Sequence, residues 1–156
     1  VVEQSSLIAA VRALARTSRI VERASDGLSF ADYRVMAAVA SGEERASRLA
    51  KRLVIGKPAI SATVDSLGKR GLMRRDAVEG DARAASLVLT PEGRELFDRM
   101  EARMTRQLEL LAERTDDPPA VVTALATLGD AVELAVAERH VAERPEHEPT
   151  AEGDPA

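Results

Sequence analysis

The stretch SGEERASRLAKRLVIGKPAISATVDSLGKRGL, Ser41 to Leu72, decides the architecture. Leu49 and Leu53 share a helical face and give a short helix from about Arg45 to Leu53. Val54 to Lys57 then turn at Gly56, and Pro58 stands where a first helical residue needs no N–H. The next helix runs to about Arg70, with Ile60, Val64 and Leu67 on one face and Pro58, Ser61, Ala62, Asp65 and Lys69 on the other. Two short helices joined by a tight turn are the layout of a helix-turn-helix, a pattern that any helical hairpin shares. Small side chains on the first half of the second helix suit a DNA major groove, which only just admits an α-helix.

Beyond Gly71, "LMRR" starts a strand, residues 77–84 turn, and "ASLVLT" alternates as a half-buried strand would. Thr90, Pro91 and Glu92 then open another helix. Helix, turn, helix and hairpin make a winged helix, with Asp81 and Arg83 in the wing. The fold class is therefore mainly α with a small β-hairpin wing. On the N-terminal side, Leu7, Val11, Leu14, Ser18 and Val21 predict a helix over 4–25, ended by Asp26-Gly27. Ser29 caps the next helix with Asp32 as capping-box partner, and Leu28 is placed to staple onto Tyr33.

Phe97, Met100, Met104, Leu108 and Leu111 mark a long helix from Pro91 to about Arg114. After the stop at Asp117-Pro118, a last helix reaches about His140. These two helices and the first carry more apolar surface than a winged helix of this size requires. Their spare stripes, Leu7, Val11 and Leu14 on one and Leu125, Leu128, Val132 and Val136 on another, are expected to pair with a second copy; packing within one chain is the alternative. Residues 1–28 and 91–142 then form a helical dimerisation region around a winged helix-turn-helix at 29–90. Residues 143–156, acidic and nearly free of large apolar residues, read as a disordered or loosely attached tail.

The 156 residues carry a net charge of -4, unevenly spread. From Arg45 to Arg83 ten Lys/Arg face four Asp/Glu, a net of +6, whereas 143–156 has five acids and one arginine, a net of -4. A basic segment inside an acidic protein is the footprint of one region meeting a polyanion, or else an ordinary solvated surface. The absence of cysteine excludes disulfides and thiolate chemistry and suits a reducing cytoplasm. No apolar run approaches the ~20 residues of a membrane span. His140 and His147, the two histidines, do not make a zinc set, which needs three or four ordered ligands. No nucleophile, paired-carboxylate or phosphate-loop pattern stands out, so neither an enzyme nor a cofactor is expected. Met36, Met100 and Met104 fit an ordinary core better than a ligand cleft.

The run SATVDSLGKRGLMRRDAVEGDARAASLVLTPEGREL resembles the MarR family of bacterial transcriptional regulators. Its shared elements are Val64-Asp65-Ser66-Leu67, Gly71-Leu72, Asp81-Ala82-Arg83-Ala84 and Leu89-Thr90-Pro91-Glu92-Gly93, and the similarity extends in order from the first helix to His140. The resemblance implies a homodimeric, ligand-responsive repressor of a pseudo-palindromic duplex operator. By position, the major-groove helix begins at Pro58, Ser61 and Ala62 fall at contact positions, and Arg83 falls at the wing residue that enters the minor groove. Arg45, Lys57, Lys69, Arg74, Arg75 and Asp81 complete the expected DNA-binding set. Ala62 stands where members often have arginine, which shifts the burden to phosphate contacts and the wing. An anionic or aromatic effector would meet Arg12, Arg16 and Tyr33, although ordinary surface arginines are the commoner explanation of the first two. The competing reading is a degenerate winged helix that binds a protein partner and no DNA.

Overall fold

The computed structural model describes residues 2–25, 27–43, 45–78 and 81–142, with the side chains of 78, 81–84 and 140–142 outside the description. In chain order the elements are α1 (Gln4–Glu22), α2 (Phe30–Ala40), α3 (Ala46–Arg52), α4 (Lys57–Lys69), β1 (Met73–Val78), β2 (Asp81–Leu89), α5 (Pro91–Ala112) and α6 (Pro118–Ala142). The two strands pair antiparallel from Met73↔Leu89 to Ala77↔Ala85. The core sits where α2, α3, α4, the hairpin and the first half of α5 converge, and Val35, Met36, Leu49, Ile60, Leu67, Leu87 and Met100 are its largest fully buried side chains. Met104 is buried with them, so all three methionines weighed for a cleft pack in the core.

Local chemistry explains where the elements begin and end. Ser29 and Asp32 form the reciprocal capping box: the Asp32 N–H donates to Ser29 Oγ at 3.1 Å and the Ser29 N–H to Asp32 Oδ2 at 2.9 Å. At the end of α4, Gly71 takes φ 72°, and the Leu72 N–H reaches Leu67 O while the Gly71 N–H reaches Gly68 O. This double bond pattern satisfies the last carbonyls and folds buried Leu72 onto buried Leu67. Thr90 then fastens the hairpin to α5: its N–H donates to Leu72 O at 3.1 Å, its hydroxyl to Gly71 O at 2.7 Å, and it accepts from the Gly93 N–H at 3.0 Å. Gly93 lies so close that a Cβ there would stand 1.9 Å from Leu72 O.

Several sequence expectations need correction. α1 ends at Glu22 rather than residue 25, because Ser25 turns its hydroxyl onto the Glu22 carbonyl at 2.5 Å, offering the chain an alternative to another helical turn. In the helix-turn-helix, Gly56 is the N-cap of α4 with φ -57°, and the left-handed residue is Val54 at φ 52°. The Val54 and Ile55 N–H groups close the end of α3 on Lys51 O and Ala50 O, a role glycine fills more easily. The hairpin is longer than the expected turn over 77–84, because the strands run to Val78 and resume at Asp81. Its register shifts between Ala77↔Ala85 and Val78↔Asp81, one step on β1 against four on β2, so the end of the wing is bulged.

The expectation that nothing approaches a membrane span is also corrected. Pro118–Arg139 is long and apolar enough to cross a bilayer by length and composition, with mean hydropathy 1.7 over its most apolar window and none of that window buried. Asp130 and Glu133 interrupt the run without much lowering its average. α6 packs on α3 and α5, and Glu133 faces Arg52 of α3 at 4.0 Å.

Candidate nucleic-acid interface

Ile60, Val64 and Leu67 anchor α4 in the core, which turns Lys57, Pro58, Ser61, Ala62, Asp65 and Lys69 to solvent. The first half of this exposed face is thus free of bulky side chains. Gly56 gives the helix start no side-chain cap. Arg45, at the start of α3, is also exposed. Among the described residues no carboxylate forms an ion pair with Arg45, Lys57 or Lys69.

Arg74 and Arg75 are differently placed. Arg75 Nη2 lies 2.9 Å from Asp65 Oδ1 and ties β1 to α4, while Arg74 Nη2 lies 2.9 Å from Asp76 Oδ2. Exposed pairs of this kind stabilise by about 0–1 kcal/mol, so a phosphate can replace either carboxylate at small cost. Asp65 on the exposed face of α4 is thus engaged by Arg75. For Asp81 and Arg83 the backbone belongs to β2, and their side chains lie outside the described residues.

The expected effector residues are not gathered into one cavity. Arg12 and Arg16 are exposed on α1, with Arg16 Nε donating to Arg12 O at 3.3 Å. Tyr33 instead faces α5. Its ring stacks on Phe97 at 5.9 Å between centroids, and its hydroxyl donates to Glu101 Oε1 at 3.1 Å. Burial raises the phenol pKa above its ordinary value, and the charge and hydrogen bond of Glu101 raise it further. Four surface cavities of about 310–360 Å³ are lined by other residues. Among the described residues no cluster of His, Asp or Glu could hold a metal.

The residues expected to pair two copies are bare in the single chain. Leu7, Val11 and Leu14 are 47%, 65% and 45% exposed, Leu128 and Val132 are 48% and 55%, and Leu125 and Val136 are half-buried. No residue of α1 is fully buried, although Val21 near its end packs partly against the core. Sequence reasoning missed three contacts: Arg75 with Asp65, Arg52 with Glu133, and Tyr33 with Glu101. No local spacing signals them, because each partner lies on a different element.

Residues 26–84, from the end of α1 through the wing, match the model of the MarR family. The winged helix is similar to that of the MarR family. Solved structures agree on the arrangement. A MarR-family transcriptional regulator from Rhodococcus sp. RHA1 is 24% identical with a TM-score of 0.70, covering 83% of this chain and 96% of that one. The repressor CouR bound to a 23-mer DNA duplex is 28% identical with a TM-score of 0.63, covering 78% and 89%. CouR from Rhodococcus jostii RHA1 bound to p-coumaroyl-CoA is 24% identical with a TM-score of 0.66, covering 79% and 87%. No curated protein matches the chain. In this winged helix, α4 is the helix that carries the exposed small residues, and β1 and β2 form the wing.

Proposed function

We propose that this chain is a DNA-binding transcriptional regulator that acts as a homodimer, a repressor that leaves its pseudo-palindromic operator when a small anionic or aromatic molecule binds. The observation that carries the reading is the outer face of α4. Pro58, Ser61 and Ala62 leave room for base edges, Lys57 and Lys69 stand at its two ends, and the wing lies alongside. CouR, which shares this fold at 28% identity, is a repressor solved on duplex DNA, and it has also been solved with a CoA thioester. Lys57, Lys69 and Arg45 would hold phosphates, with Arg74 and Arg75 joining once released from Asp76 and Asp65. Arg83 would enter the minor groove from the wing, steadied by Asp81, and Arg12, Arg16 and Tyr33 are the proposed effector residues.

Residues 29–90 are the proposed reading domain, 1–28 with 91–142 the dimerisation region, and the cytoplasm the proposed location. Bare apolar stripes on α1 and α6 support pairing, since covering a half-exposed leucine contributes about 1 kcal/mol. Titration of the purified protein against random genomic duplex fragments tests the proposal. Enrichment of particular fragments at low salt is expected. A folded dimer that enriches none would instead identify a winged helix that binds a protein partner.

A further inference from the structure

Packing of α6 against α3 creates a groove beside the start of α4. A cavity of about 350 Å³ there is lined by Lys51, Lys57 and Arg139 around an apolar floor that includes Val54 and Ile55. Among the described residues no acid lines it, and none of the three cations has an ion-pair partner. The adjoining cavity shares Lys51 but mixes Arg48 and Arg52 with Glu43 and Glu133, so among the described residues only the side facing α4 is lined by cations without acids. Arg139 precedes by only four positions the acidic run that starts at Glu143.

We propose that this groove is the docking surface for the chain's own segment 143–156, which there competes with DNA phosphate for Lys57. The segment's net charge of -4 complements the three cations, and Pro145 and Pro149 offer apolar rings to the floor. Reach is no obstacle, because Arg139 already lines the groove and an extended chain covers ~3.3 Å per residue. Tethering keeps the acids at high effective concentration beside the groove. The docking stands on the groove itself; only its competition with DNA rests on the regulator reading.

The full chain has three lysines, Lys51, Lys57 and Lys69, which makes carbodiimide coupling of carboxylates to amines a direct readout. Lys69, at the far end of α4, is the internal control. At low salt and high dilution, peptide mapping is expected to join 143–156 to Lys51 or Lys57, with Lys69 left unlinked and the links lost at high salt. Absence of these links, or equal linking to Lys69, overturns the docking. A full-length variant carrying E143Q, E146Q, E148Q, E152Q and D154N should bind duplex DNA roughly tenfold more tightly at low salt and converge with the parent at high salt. Links without any gain in DNA affinity would overturn the competition. Links in a protein that binds no DNA would overturn the regulator reading and leave the docking standing.

Discussion

Replacing Gly93 by alanine places a methyl group where a carbonyl already sits. The added Cβ would lie 1.9 Å from Leu72 O, 2.8 Å from Leu72 C and 3.1 Å from Leu72 Cα. A carbon meets a carbonyl oxygen comfortably at about 3.3–3.6 Å, so α5 and the chain at Leu72 must separate by more than ~1 Å. Such overpacking costs about 1–3 kcal/mol, and here the obstacle is backbone, which cannot rotate aside. Moving Leu72 also strains the bond from the Thr90 N–H at 3.1 Å, worth about 1 kcal/mol, while the helix preference of alanine returns up to ~1 kcal/mol. The net expectation is a loss of about 1–3 kcal/mol, read as a lower urea midpoint with unchanged slope. Gly68→Ala is the matched control. Its Cβ would meet only Met73 O at 3.7 Å, and it should leave stability unchanged or raise it by up to ~1 kcal/mol. A Gly93→Ala protein as stable as the parent would refute the argument that this glycine exists for close approach.

Tyr33 is the chain's single tyrosine, so its phenolate absorbance titrates alone, with a midpoint above the ordinary value; Glu101→Gln should lower that midpoint, and an unmoved midpoint would contradict the contact. Because the folded protein favours the neutral phenol, this contribution to stability is whole below pH ~10 and is lost as pH rises from there through the folded pKa. Val54→Gly should raise the melting temperature, because a left-handed valine costs about 1–2 kcal/mol and the entropy cost of glycine removes only part of that gain; a lower melting temperature would argue against the strained turn. Leu128→Asp or Val132→Asp should yield monomers in sedimentation, since pairing would bury an unpartnered charge; a stable dimer would contradict the interface. Arg83→Ala should weaken operator binding by about 1–3 kcal/mol and make its salt dependence shallower without altering the melting temperature, whereas full-strength binding would remove the wing contact.

Much of the fold was legible because its boundaries are written in short-range chemistry. Ser29 with Asp32, Gly71 after Lys69, and Thr90 with Gly93 each act within a few residues, and Ile60, Val64 and Leu67 declare the buried face of α4 by spacing alone. What escaped depends on alternatives that spacing does not separate. Glycine is the default left-handed residue, so Gly56 drew the turn that the backbone places at Val54. The bulged register of the wing depends on how β1 and β2 meet, and not on either strand's alternation. At the candidate interface, the exposed face of α4 could be read from periodicity, whereas the engagement of Arg75 by Asp65 could not, since it joins a strand to a helix. The cationic groove was equally hidden, because Arg139 meets Lys57 only through the packing of α6 on α3.

Footprinting of the protein on a duplex fragment that it enriches tests the central claim most directly. Two copies of α4 related by a two-fold axis should protect two inverted half-sites ~10 bp apart centre to centre, each in the major groove with minor-groove protection at the wing. Protection of a single half-site, of directly repeated half-sites, or of the whole fragment without pattern would contradict the account.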